Sequence, residues 1–190
     1  MDKFDRAFER EMSTLDEGKF KSLAAGAMLG LGVAGGVTGV SQHATQDPSV
    51  SSTQTRGFRN NNPGNIEKGI SNWEGVDPNG KDSRFVSFVA PEWGVRALMR
   101  TLITYDKDHK QNTITGIITR WAPPEENNTA RYIKNVSSWM GVDPKTSLNL
   151  HNPPVMSALV NAIVRQENGS KVDQGTIDKA FDILFKTYSE

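Results

Sequence analysis

Arg56-Gly57-Phe58-Arg59-Asn60-Asn61-Asn62-Pro63-Gly64-Asn65-Ile66 is the stretch on which the reading of this 190-residue chain turns. Asparagine, proline and glycine each favour turns for a separate reason: side-chain bonds to nearby backbone, a fixed φ, and access to φ > 0. The segment is a poor helix and a poor strand, and it predicts a tight loop. Folded round such a loop, uncharged amides offer many donors and acceptors. That chemistry suits neutral hydroxyl and acetamido groups better than phosphate. The plainer reading is an Asn-rich connector between two elements.

Composition narrows the function classes. Lys plus Arg and Asp plus Glu both number 22, so no bulk field attracts nucleic acid or an anionic membrane, and no direct nucleic-acid partner is expected. Cysteine is absent, which removes disulfides, thiolate catalysis and cysteine metal sites together. His43, His109 and His151 lie far apart and lack ligand spacing. Neither a metal nor a cofactor is expected.

The N-terminal fifty residues differ from the rest. Residues 1–22 form an arm in which Phe4, Ala7, Phe8, Met12 and Leu15 recur among charges of both signs, a spacing that predicts an amphipathic helix. Leu23 to Val40 carries no charge and holds Gly26, Gly30, Gly32, Gly35, Gly36 and Gly39. Its length sits at the lower bound for a membrane span, and the small-xxx-small spacing of its glycines permits close helix contact in lipid. Two readings stay open: a membrane-active or anchoring segment, or a Gly/Ala arm that packs against a partner protein. A cleaved signal peptide fits less well, because the leader is long and acidic and no Ala-x-Ala site follows before Ala44. Residues 41–55, dominated by Ser, Thr and Gln, read as a linker.

Residues 56–190 predict a mainly helical domain with one small β excursion at Arg84-Phe85-Val86-Ser87-Phe88. A helix opens at Pro91, with Trp93, Leu98, Leu102 and Tyr105 as its core stripe. Thr113 to Trp121 is a second helix, stopped by Pro123-Pro124. Thr129 caps a third, carrying Tyr132, Ile133, Val136, Trp139 and Met140 up to Gly141. A fourth runs from Pro154 to Glu167 and a fifth from Thr176 to Tyr188.

The series Asn62-Pro63-Gly64-Asn65-Ile66, Trp73-Glu74-Gly75, Asp82 to Phe88, Pro91 to Leu98 and Arg120 to Thr129 resembles a family of bacteriophage structural and prophage-encoded proteins with a lysozyme-like, peptidoglycan-hydrolase domain. The resemblance covers about residues 56 to 169. More weakly, the chain is similar to bacterial glucosaminidases of flagellar and autolysin type. The resemblance implies a lysozyme-like fold and binding and cleavage of cell-wall glycan strands. It also implies residence in the virion beside other virion proteins, and action at the host cell envelope, in the periplasm, on infection.

Such cleavage needs a carboxylic acid that can donate a proton to the leaving oxygen. A second carboxylate serves as nucleophile or base, unless a substrate hydroxyl attacks internally as in lytic transglycosylases. The glucosaminidases carry their acid as Glu-Ser-Gly-Trp-Gly just before the Asn-rich loop. Here the chain departs from the pattern, since no Glu lies between Glu17 and Glu67. Taken literally, the departure argues for an inactive relative. The helix ending Gln166-Glu167-Asn168-Gly169 supplies a substitute on the C-terminal side, in a circularly permuted arrangement with Glu167 beside the Asn60–Asn65 loop. Apolar surroundings favour a neutral carboxyl, and a helix C-terminus disfavours an anion.

The plainer reading of Glu167 is a solvated residue before a glycine cap. Glu126, with its neighbour Glu125, is the second catalytic candidate; the plainer reading makes one of them a helix cap. Asn60, Asn61, Asn62, Asn65 and Asn127 are the candidate amide contacts to acetamido sugars. Trp73 and Trp121 are the candidate stacking faces, whereas Trp93 and Trp139 are expected in the core. Glu67, Glu74 and Asp82 stay open as second carboxylates. Two functions follow: a virion-associated murein hydrolase used during genome entry, or a non-catalytic structural or ejection protein that keeps the fold to bind wall or neighbouring subunits.

Overall fold

The structure, a computed structural model, describes residues 54–69 and 71–189, with side chains to Lys186. The arm, the apolar segment Leu23–Val40 and the linker up to residue 53 lie outside the described residues. Six helices are formed among the described residues: α1 (Arg56–Arg59), α2 (Pro91–His109), α3 (Ile114–Trp121), α4 (Thr129–Met140), α5 (Pro153–Asn168) and α6 (Gln174–Ser189). The domain is mainly helical. No described helix is long and apolar enough to cross a membrane.

The helix ends follow capping chemistry, with shifts from the expected positions. Pro91 opens α2, where its missing N–H is no loss. Thr113 caps α3 by accepting the Gly116 N–H. Asn128, not Thr129, caps α4 through the Arg131 N–H. The Thr129 hydroxyl instead donates back to the Ala122 carbonyl at 2.5 Å, so a residue expected to cap a helix closes the Trp121–Thr129 corner. The fourth expected helix begins one proline early, at Pro153, and stops at Gly169 with φ +77°. Asp173 starts α6 by accepting both the N–H and the hydroxyl of Thr176.

One core serves all the long helices. Leu98 and Leu102 of α2, Ile117 and Ile118 of α3, Val136 of α4, Leu159 and Ile163 of α5, and Ile177 and Leu184 of α6 have no exposed surface. Each such side chain contributes about 1.5–3 kcal/mol by leaving water. Helix α2 packs chiefly on α6, α4 lies between α3 and α5, and α1 and α2 both touch α5. Trp139 departs from expectation: it is 36% exposed, with the Arg165 guanidinium 4.4 Å from its ring centroid.

The expected strand at Arg84–Phe88 is reduced to isolated antiparallel bridges, Glu67 with Phe85 and Val76 with Phe88. The reason lies in Asn62, which is fully buried. Its side-chain amide donates to the Ile66 and Val86 carbonyls and accepts the Ile66 N–H at 2.8–2.9 Å. A side chain thus meets backbone groups that a longer strand pair would satisfy. The Asn-rich segment is part helix, since α1 takes its first four residues. Beyond it, Asn61 adopts φ +51°, accessible to asparagine at little cost. Helix α2 crosses here at Gly94, where an added Cβ would stand 2.0 Å from the Asn61 carbonyl oxygen.

Candidate active-site groove around Glu167

The end of α5 is fastened to the Asn-rich loop by Asn168. Its buried amide donates to the Pro63 carbonyl at 2.7 Å and to Val164, and its oxygen accepts the Thr55 hydroxyl at 2.6 Å. Thr55, the last residue of the expected linker, is therefore joined to the domain. Gly57 of α1 seats against the same amide, with room for no Cβ: one would lie 2.5 Å from Asn168 Oδ1.

Glu167, one residue earlier, turns the other way. Asn65 Nδ2 donates to its Oε2 at 3.0 Å. The Tyr132 hydroxyl donates to Oε1 at 2.9 Å, and Trp121 Nε1 reaches the same oxygen at 3.4 Å. Three separate segments meet on one carboxylate: the loop, the end of α3 and the first turn of α4. Tyr132 is 5% exposed. Burial first, and the Glu167 carboxylate second, push its phenol well above the usual tyrosine range, so it remains a hydroxyl. The two carboxylate oxygens differ: Oε1 faces two donors and Oε2 one.

Glu167 faces an open groove of about 830 Å3. Of the expected site residues, Asn65, Trp73, Trp121, Glu126 and Asn127 line it with Glu167. Trp73 is half-buried and also borders a second cleft of about 530 Å3, so the two depressions adjoin at its ring. Tyr105 adds a further aromatic wall, edge-on to Trp121 with centroids 6.5 Å apart.

Asn60, Asn61 and Asn62, expected as sugar contacts, do not line the groove, and their side chains are engaged elsewhere. Asn60 donates to Asp82 at 2.7 Å, Asn61 to the Phe88 carbonyl at 2.9 Å, and Asn62 is enclosed as described. The loop's geometry requires those three amides for itself, and only Asn65, at φ +53°, turns its side chain to the acid. Glu126 is exposed in a turn whose N–H bonds the Pro123 carbonyl, and Asn127 donates to that carbonyl too. Neither Glu125 nor Glu126 caps α4, since Asn128 does.

The charged rim has two parts. Glu67 and Arg84 pair at 2.5 Å on the groove. Behind them Arg56 forms a two-bond fork with Asp82, whose carboxyl is held well below its usual range by that guanidinium first, then by the Phe85 N–H and the Asn60 amide. Glu74, the third open carboxylate, pairs with Arg96 at 2.9 Å. Among the described residues, no three His, Asp or Glu side chains are grouped to hold a metal ion.

Protein-family models give no match to the chain. It is 40% identical over 126 residues to protein P5 of Pseudoalteromonas phage PM2, an alignment covering 65% of this chain and 77% of that protein. The chain belongs to the family of this phage protein.

Within this phage family member, sequence reasoning missed two parts of the groove. Tyr132 was expected only as a core residue; its ring is in the core and its hydroxyl is on the acid. An Arg-Tyr pair one turn inside a helix carries no signal that separates the two roles. Tyr105 was likewise expected in the stripe of α2, and its half-burial leaves one side of the ring on the groove.

Proposed function

We propose that this chain is a virion-associated peptidoglycan hydrolase with a lysozyme-like domain, which opens the bacterial wall locally as the phage genome enters. The observation that carries this reading is the cage around Glu167. The groups donating to Glu167 are an amide, a phenol and an indole, all uncharged and brought from three separate segments. These three donors fix the position of the carboxyl group beside the groove.

In this mechanism Glu167 Oε2, the oxygen with the single donor, carries the proton. It passes to the glycosidic oxygen of a strand lying in the groove, and the bond from that oxygen to the anomeric carbon breaks. Trp73 and Trp121 give apolar faces for sugar rings, and Asn65 and Asn127 give amides for acetamido groups. Glu126, which lines the same groove, acts as the second carboxylate, as base or nucleophile. In a lytic transglycosylase a substrate hydroxyl does that work instead. The acid group is held in place by bonds from three segments, the preorganisation general acid catalysis requires. Residues 56–190 carry the chemistry, and Leu23–Val40 brings the domain to the envelope or packs it in the particle.

One observation favours the other reading, a non-catalytic virion or ejection protein. The same three bonds tie α3, α4 and the loop to α5, which a structural carboxylate would also do. A zymogram of the full chain on purified peptidoglycan separates the two. A clearing band that Glu167→Gln removes supports the hydrolase, and no clearing by either protein leaves the structural reading.

A further inference from the structure

We infer that Arg84 is the specificity residue of the groove and recognises a carboxylate on the glycan, with Glu67 standing in that carboxylate's place in the free protein. The inference rests on the reading of the groove as a peptidoglycan site and adds the residue that would distinguish its acid-bearing strands from a neutral acetamido polymer.

Both Arg84 and Glu67 line the groove that Glu167 faces. The guanidinium meets one carboxylate oxygen through two nitrogens, Nε at 2.9 Å and Nη2 at 2.5 Å. Arg84 is the arginine among the residues lining this groove, so it is the groove's fixed positive charge. Its side chain is 57% exposed and that of Glu67 is 56% exposed. An ion pair so open to water contributes little to folding. A planar fork matched to a carboxylate is far more selective than a lone ammonium. An incoming carboxylate therefore replaces Glu67 like for like at small cost.

The neighbours support a prepared site more than an incidental surface pair. Phe85, also on the groove, lies between two guanidiniums, with Arg84 5.2 Å and Arg56 4.6 Å from its ring centroid. Arg56 is itself held by Asp82, so the ring and the stem of Arg84 rest on a fixed base. Glu67 and Phe85 are joined by an isolated antiparallel backbone bridge, which brings the segments carrying Glu67 and Arg84 side by side. Without Glu67, Arg84 would share the groove lining with the carboxylates Glu126 and Glu167 and be free to take an anionic substituent of the ligand.

The test uses full-length Glu167→Gln protein, which binds without turnover. Two soluble probes are titrated by calorimetry: an N-acetylglucosamine oligomer, which is neutral, and a muramyl-peptide-bearing fragment of the same sugar length. The ratio of their affinities is the readout. Adding Arg84→Gln should lower the preference for the acidic probe about tenfold, the scale of one charge-assisted fork. Adding Glu67→Gln should raise that preference a few-fold, because the internal competitor is gone. Arg84→Lys, keeping charge without the fork, should fall between. A ratio equal in all variants, or one lowered by Glu67→Gln, overturns the inference. Failure of the parent protein to bind either probe overturns the glycan reading itself, and thermal melts of each variant identify loss of fold.

Discussion

Asn65 and Glu167, 102 positions apart in the chain, are joined by a single hydrogen bond of 3.0 Å, and Asn65 Oδ1 on the same amide is buried with no partner. Half of that amide is satisfied by the acid and half is not. A buried acceptor without a donor costs on the order of 1–3 kcal/mol. The left-handed backbone at Asn65, φ +53°, is one asparagine adopts readily, and it turns the side chain towards Glu167.

Replacing Glu167 by Gln tests that relationship and the chemistry together. The variant keeps size but removes the transferable proton, so wall hydrolysis should fall by about 10²- to 10⁴-fold. A Gln nitrogen facing Asn65 Nδ2 would set donor against donor. The Asn65 amide is expected to turn, and its side-chain resonances should shift in a proton–nitrogen correlation spectrum while the fold is kept. Unchanged hydrolysis rules out the assignment of Glu167.

Tyr132→Phe should lower hydrolysis and cost about 1–3 kcal/mol in denaturant unfolding, since it removes a bond to a carboxylate from a buried phenol. Its pH signature has a definite sign. An unfolded tyrosine ionises near pH 10, and burial places Tyr132 above that. Its contribution is complete below about pH 10 and is lost as pH rises beyond it. The variant should lose less stability than the parent between pH 9 and 12, retaining the smaller share from Tyr105, which burial also raises.

Asp82→Asn should act at the other end of the scale. Asp82 titrates below an unfolded aspartate because of Arg56, the Phe85 N–H and Asn60. Its contribution is present above about pH 4 and disappears as the pH falls further. Melting temperatures measured from pH 6 to 2 should decline less steeply for the variant. Parallel curves would mean that the Arg56 fork adds nothing to the fold.

Gly94→Ala should destabilise the domain by about 1–3 kcal/mol, because the new Cβ meets the Asn61 carbonyl oxygen at 2.0 Å. Equilibrium urea unfolding measures it. A neutral result would show that α2 and the loop can separate without penalty.

The helices were legible because their apolar spacing and caps are local. Pro91, Thr113, Gly141 and Gly169 each mark an end that the structure keeps, and the misplaced starts at Asn128 and Pro153 are shifts of a single residue. The loop was legible as a loop, but not in its direction. Three neighbouring asparagines look alike in sequence; which of them faces the groove depends on where Phe88, Val86 and Asp82 arrive. The placement of Glu167 against Asn65 could be argued from an apolar helix ending in an acid. Tyr132 could not, because one side chain meets the core with its ring and the groove with its hydroxyl.

The cage around Glu167 also sets when it can exist. Its donors stand 102, 46 and 35 positions before the acid. Contacts of such long sequence separation form slowly and only once the intervening chain has closed. A growing chain thus holds no finished groove until α5 has emerged and docked on the loop. Pulling away the short α1 segment would undo it again, since Gly57 and Thr55 both bear on Asn168. Strain on the N-terminal side of the domain would therefore reach the acid through Thr55 and Gly57.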